Sequence, residues 1–127
     1  MKSRNSLLRL KQFQVSEKHR QVLQIETMIK EFQRMADDLQ KQIETEERKS
    51  GITDVKNFAY PTFAKAARTR CENLEGSIKD LHSQLQVAES ALADAEAELK
   101  KAEMLEVRDS RPVEVEPQAP DPRVMIG

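Results

Sequence analysis

The chain has 127 residues, of which 34% are charged and 38% hydrophobic, and its formal net charge is −1. Four Phe, one Tyr and no Trp cannot fill the core of a thick globular domain, and so small a net charge gives no overall attraction to nucleic acid. The single cysteine, Cys71, excludes an internal disulfide and any zinc site built from several cysteines. This composition is typical of long helices that each bury one narrow apolar stripe.

The first predicted element is a helix over about residues 3–49 that carries a heptad seam. Its a positions are all apolar: Leu8, Val15, Val22, Ile29, Ala36 and Ile43. Its d positions are apolar towards the C-terminus and become lysines towards the N-terminus: Ile25, Phe32 and Leu39, then Lys18 and Lys11. Met28 and Met35 fall at flanking g positions and widen the stripe. A stripe with this spacing predicts a coiled-coil partner for the helix.

A connector is predicted at about residues 50–60. Gly51 is a good stop for the first helix, and Pro61 fits the first turn of the second helix, where its missing N–H is not needed. Between them we expect a short turn of helix capped by Thr53.

The second predicted helix covers about residues 61–109 and has the cleaner seam. Its two apolar series are Ala64, Cys71, Ile78, Leu85, Leu92 and Leu99, and Ala67, Leu74, Leu81, Ala88, Ala95 and Ala102. Each helix would be roughly 70 Å long at 1.5 Å per residue. After it, residues 110–127 contain four of the five prolines, which predicts a disordered tail.

The charge distribution predicts that the two helices run antiparallel. Residues 1–20 and 64–70 are basic, whereas residues 37–47 and 89–106 are acidic. Folding the chain back at the connector places each basic end beside an acidic end, and flanking charges of this kind set orientation in coiled coils. The fold-class prediction is therefore all-α: a long antiparallel two-helix coiled-coil hairpin over residues 1–109.

The sequence contains no motif for catalysis or for binding a cofactor or a metal, so the chain is predicted to be a non-enzyme without a cofactor or a metal ion. His19 and His82 both take e positions, and in the hairpin they would lie roughly 16 Å apart, which is too far to share a metal ion. Cys71 occupies an a position, which predicts a buried seam cysteine rather than a nucleophile.

Two apolar clusters off the seam are candidate binding surfaces. Phe58, Tyr60 and Phe63 lie within six residues of one another, and a two-helix tip has too little interior to bury all three rings. At the open end, Leu7, Leu10 and Phe13 add an apolar face to helix one amid basic residues. The alternatives are turn residues that plug the tip and scattered surface apolar side chains. The basic run formed by Lys65, Arg68 and Arg70 is interpreted as a solvated face.

Three stretches carry a resemblance to a known family. The opening MKSRNSLLRLKQFQV, the segment GITDVKNFAYPTFAKAARTR and the Ala/Glu/Lys-rich second helix resemble flagellar export proteins of the FliJ family, in an alphaproteobacterial-type form. The resemblance covers about residues 1–109, and the connector segment 51–70 is its specific part. Where other members have tyrosines near the end of helix one, this chain has Glu44-Thr45-Glu46-Glu47.

The resemblance implies a cytoplasmic protein, peripheral to the inner membrane at the flagellar base, that acts as a stalk and adaptor in type III export. The implied partners are the export ATPase hexamer, the export-gate membrane protein and export chaperones, with no nucleic acid and no membrane insertion. The family pattern Tyr-x-x-Phe matches Tyr60 and Phe63, which with Phe58 and Ala67 would face the gate protein. Leu7, Leu10 and Phe13 would meet the ATPase.

Two other functions stay open on the residues alone. A generic coiled-coil scaffold or chaperone hairpin fits the same heptads. A coiled-coil factor that enters a polymerase channel would need paired acids at the tip to hold a metal, whereas this tip has Asp54 with no adjacent acid.

Overall fold

The computed structural model describes residues 2–109, with side chains from residue 5 to residue 108. Two helices make up this part of the chain: α1 covers Lys2–Ser50 and α2 covers Thr62–Asp109. The two helices pack against each other, which confirms the predicted all-α fold class. The tail prediction for residues 110–127 lies outside the described residues.

Both helix ends at the connector lie within about one residue of their predicted positions. Gly51 follows α1 with a φ of +73°, and its N–H donates to the Glu47 carbonyl at 2.8 Å. This is a left-handed C-terminal cap, which glycine adopts without strain. Pro61 lies just before α2 rather than in its first turn, and its carbonyl accepts the first helical hydrogen bond, from the Lys65 N–H at 3.0 Å.

The connector is built from two consecutive turns that begin at Asp54 and Asn57. Each side-chain oxygen accepts a hydrogen bond at 2.9 Å from the backbone N–H two residues further on. The Asp54 carbonyl accepts from the Asn57 N–H at 3.1 Å, and the Asn57 carbonyl accepts from the Tyr60 N–H at 2.9 Å. The predicted cap at Thr53 is wrong, because Asp54 supplies that hydrogen bond. Asp and Asn are well suited to the task, since their short side chains reach their own backbone.

The chain divides into two compact units, and the connector belongs to the unit Lys18–Ala91. In this unit α1 and α2 run antiparallel. The Cys71 thiol donates to the Ala36 carbonyl at 3.4 Å, and Ile43 and Ala64 share one buried cluster. Residues therefore face each other in opposite sequence order across the pair.

The seam of this unit is the one that the heptads predict. Its buried apolar residues on seam positions are Val22, Ile29, Leu39, Ile43, Ala64, Ala67, Cys71, Leu81 and Ala88. Ile25, Phe32, Ala36, Leu74, Ile78 and Leu85 are half-buried. Tyr60, which precedes α2, is also buried and lies seven residues before Ala67, so it continues that apolar series towards the connector. Burial along a single stripe is the property expected of a coiled coil.

The other unit contains Met1–Glu17 and Leu92–Gly127. Its described seam residues include half-buried Leu8, Val15 and Leu99 and buried Ala102. Lys11 Nζ lies 3.5 Å from Glu98 Oε1, which agrees with the predicted meeting of a basic and an acidic end. A pair this exposed contributes about 0–1 kcal/mol, so it favours an orientation more than it stabilises the fold.

Candidate functional site

The candidate site lies where α1 ends, the connector turns and α2 begins, and we call residues 39–71 the connector end. Three polar side chains join its three segments. The Tyr60 hydroxyl donates to Glu47 Oε2 at 2.7 Å and accepts from Arg68 Nε at 2.9 Å. Arg68 Nη2 also donates to Glu47 Oε2 at 2.9 Å. This closed set of hydrogen bonds ties the last turns of α1, the end of the connector and the first turns of α2.

The electrostatics of this triangle keep both ionisable ends charged. Hydrogen bonds from Tyr60 and then from Arg68 hold the pKa of the Glu47 carboxyl below its ordinary value, against a smaller effect of burial. Hydrogen bonds to Glu47 and then to Tyr60 hold the pKa of the Arg68 guanidinium above its ordinary value. Charge-assisted hydrogen bonds are shorter and stronger than neutral ones. The triangle therefore fixes the connector most firmly when Glu47 is ionised.

An apolar cluster lies beneath the triangle and anchors Tyr60. The cluster contains Leu39, Ile43, Tyr60, Ala64, Ala67 and Cys71, and Ile52 and Val55 of the connector pack against it. Ile43 is 0% exposed and is the largest fully buried side chain described. The connector is thus held from inside by apolar packing and from outside by the triangle.

Two of the three aromatic rings point away from this anchored base. Phe58 is fully exposed, and Phe63 in the first turn of α2 is 51% exposed. Exposing two Phe side chains on a well-packed base is unfavourable for an isolated molecule, because each would gain about 1.5–3 kcal/mol from burial. The prediction that not all three rings can be buried is confirmed.

Tyr60 and Ala67, which were predicted to face the gate protein together with Phe58 and Phe63, are buried and not exposed. Tyr60 is 6% exposed and Ala67 is 2% exposed, so both belong to the core of the connector end. Their side chains support the exposed rings from beneath and offer almost no surface to a partner. A direct contact surface here is carried by Phe58 and Phe63.

Glu47 was not predicted as a site residue from the sequence, and Arg68 was interpreted as part of a solvated basic run. A usable signal was present, because both residues occupy e positions in the heptad frame. In an antiparallel pair the e positions of one helix face those of the other. That rule places the two opposite charges on the same side of the helix pair.

Comparison of the chain with family models, with curated proteins and with solved structures gave no match. The function proposed below therefore rests on the connector end and on the sequence resemblance.

Other residues with reactive or metal-binding side chains are placed as follows. The Cys71 thiol lies in the seam, as predicted, and burial, then the nearby Glu75 and Asp37 carboxylates, raise its pKa. His19 and His82 are both exposed. Within the described residues, no group of three or more His, Cys, Asp or Glu side chains could hold a metal ion. In the same residues, neither helix contains an apolar stretch that could cross a membrane.

The second predicted binding surface lies in the unit Met1–Glu17 with Leu92–Gly127. Leu7, Leu10 and Phe13 are all exposed there, Phe13 most strongly at 61%. Met104 and Leu105 on α2 of the same unit are exposed as well, and they were not among the predicted residues. These two residues fall at f and g positions, so the rule that marked Leu10 and Phe13 as off the seam also applies to them.

Proposed function

We propose that this chain is a non-enzymatic stalk and adaptor of the flagellar type III export apparatus, linking the export ATPase hexamer to the export-gate membrane protein. The observation that carries the proposal is the pair of exposed rings, Phe58 and Phe63, on the firmly held connector end. Around them lies segment 51–70, the most specific part of the resemblance to the FliJ family. The gate protein is the partner that this resemblance assigns to the connector end.

The geometry of the connector end suits protein binding by apolar contact. Asp54 and Asn57 fix the turn that carries Phe58, and Gly51 closes α1 without strain. Binding therefore needs little further ordering of the backbone, which lowers its entropic cost. Each ring that enters an apolar partner site contributes about 1.5–3 kcal/mol, and large side chains of this kind dominate many interfaces.

The exposed residues Leu7, Leu10 and Phe13 support the second half of the proposal. They provide an apolar surface in the unit to which the first turns of α1 and the last turns of α2 belong. In the proposed function this surface meets the ATPase, and the chain needs no chemistry of its own because it couples two partners by binding both.

The test is a pair of variants with opposite effects. Phe58→Ala with Phe63→Ala should weaken binding to the soluble part of the gate protein at least tenfold and reduce swimming, while ATPase binding stays unchanged. Leu10→Ala with Phe13→Ala should weaken ATPase binding and leave gate binding unchanged. Helicity should be unaltered in both, because all four side chains are exposed.

Leu23→Ala is the matched control, since Leu23 is an exposed apolar residue of α1 that lies outside both surfaces. The control should bind both partners as the parent chain does. Wild-type gate binding by the Phe58/Phe63 variant would refute the proposal for the connector end. Purification of the tagged chain from a flagellated bacterium discriminates between functions: recovery of the export ATPase supports the proposal, whereas polymerase subunits or a mixed set of clients would overturn it.

A further inference from the structure

The two long sides of the helix pair in the unit Lys18–Ala91 differ sharply in charge. In an antiparallel pair, e positions line one side and g positions the other. The e side contains the Glu47–Arg68 pair together with Glu26, Glu75 and Glu89. The g side consists of Gln21, Met28, Met35 and Gln42 from α1 and Phe63, Arg70, Ser77, Gln84 and Ala91 from α2. Only one of these g residues, Arg70, is charged.

The g side is also apolar and grooved. Phe32 and Met35 of α1 and Leu74, Ser77 and Arg70 of α2 line one shallow groove. A second groove, beside Phe63, is lined on α1 by polar residues: Lys41, Gln42, Thr45 and Glu46. Met28 is 42% exposed and Met35 is 43% exposed. We call Met28, Phe32, Met35, Phe63, Arg70 and Leu74 the g face.

Two charged side chains at this face have no partner among the described residues. Neither Arg70 nor Asp38 forms a hydrogen bond or an ion pair with any described residue. Because Ala36 lies opposite Cys71, Arg70 lies at about the height of residue 37, next to Asp38. Asp38 is at the outer rim of the face on α1, and Arg70 is at the groove on α2.

We propose that a second copy of this chain covers the g face, with the two copies related by a twofold axis parallel to the helices. Around such an axis, each residue lies at the same position along the helices in both copies, and α1 of one copy packs over α2 of the other. Asp38 of each copy then meets Arg70 of the other, so that the ion pair forms twice. Met28, Phe32 and Met35 are buried against the region around Leu74 of the second copy. Every pair of neighbouring helices is antiparallel, as in an up-and-down four-helix bundle.

Charge complementarity favours this occupant and this orientation. Glu31, the other acid on the α1 rim, lies at about the height of the uncharged Ser77 of the second copy, and Asp80 lies about one turn further along that rim. A twofold axis perpendicular to the helices would instead place α1 of one copy over α1 of the other, and Arg70 would have no acidic partner. The e side, with its several glutamates, would repel a second e side. The proposal does not depend on the proposed export function, but Phe63 belongs to both surfaces, so a second copy and the gate protein would compete for it.

The size of the face predicts a weak dimer. From Met28 to the height of Phe63 the face is about 24 Å long, at 1.5 Å per residue. A face of this length buries less surface area than the roughly 800 Å² per partner of a standard interface. We therefore expect a dissociation constant in the micromolar range and a monomer at nanomolar concentration.

Sedimentation analysis of the full chain from nanomolar to high micromolar concentration tests the proposal. The parent chain should shift from monomer to dimer, and Met35→Glu should stay monomeric at every concentration. Leu23→Glu is the matched control, because it introduces the same charge at a similarly exposed apolar residue of α1 at a b position, off the g face. It should dimerise as the parent does, and circular dichroism should show equal helicity in all three proteins.

A charge exchange tests the orientation. Asp38→Arg and Arg70→Asp should each weaken the dimer about five- to tenfold, since two exposed pairs are lost and like charges meet. The double variant should recover the parent's dissociation constant. The proposal is overturned by a parent chain that stays monomeric throughout, by a dimer that survives Met35→Glu, by equal loss in Leu23→Glu, by a double variant that does not recover, or by assemblies larger than two.

Discussion

Replacing Ile43 with alanine should destabilise the connector end more than any other single truncation of an aliphatic side chain described here. Ile43 is 0% exposed and lies in the cluster with Ala64 and Ala67, whose short side chains cannot extend into the space that it leaves. Three carbons are removed, which corresponds to about 2.4 kcal/mol of lost burial at about 0.8 kcal/mol each. The residual cavity adds to this value, so we expect a loss of about 3 kcal/mol, within the range of about 2–5 kcal/mol for such changes.

Urea unfolding followed by circular dichroism at 222 nm measures this free energy. Ile43→Val should lose about 1 kcal/mol and remains informative if Ile43→Ala is already unfolded in buffer. Leu23→Ala is the control, because Leu23 is 49% exposed and its truncation should change the free energy by less than about 0.5 kcal/mol. An Ile43→Ala loss no larger than that of Leu23→Ala would refute the view that apolar packing anchors the connector.

Four further predictions concern the same end of the molecule. Gly51→Ala should cost about 1 kcal/mol by urea unfolding, because φ is +73° and no atom lies within 4 Å of the added Cβ, so that backbone strain alone acts. Tyr60→Phe should lower the thermal midpoint, because it removes both hydrogen bonds of the hydroxyl; a midpoint equal to the parent's would show that the triangle adds no stability. The pKa of Glu47 is lowered in the folded chain, so its ionised carboxylate contributes fully to stability well above its ordinary pKa of about 4.5. That contribution is lost as the pH falls below about 4.5 and through the folded-state pKa. Glu47→Gln should therefore show a smaller drop in thermal midpoint between pH 7 and pH 3 than the parent chain. The Cys71 thiol should react with iodoacetamide far more slowly in the native chain than in urea, since it is buried and its pKa is raised; equal rates would contradict its burial.

The helical pair could be predicted from the sequence because its burial repeats. Ile43 and Leu81 are buried and Leu85 is half-buried because each recurs on the seven-residue seam, which needs no knowledge of tertiary structure. Tyr60 lies seven residues before Ala67 and so continues one seam series, whereas Phe58 and Phe63 do not. The hydrogen bonds of its hydroxyl could not be predicted in this way, because the acceptor Glu47 and the donor Arg68 lie in different helices.

Two arginines show how far a short motif can mislead. Arg68 and Arg70 are two residues apart, and the sequence alone suggested one solvated basic run. On a helix that separation places them on different sides of the seam. Arg68 is bonded to Glu47 and Tyr60, whereas Arg70 is exposed beside a groove, so one basic run contains a structural residue and a surface residue.

The short span of the Glu47–Tyr60–Arg68 triangle has a consequence for the order of folding. Glu47 and Arg68 are 21 residues apart in sequence, whereas Lys11 and Glu98 are about four times farther apart. Closing the longer loop from an unfolded chain costs about 1.2 kcal/mol more in entropy, since each doubling of length costs about 0.6 kcal/mol. The first contacts between the helices should therefore form beside the connector, and each later contact then closes only a short additional loop. Amide hydrogens of residues 39–47 and 64–71 should accordingly exchange with solvent last.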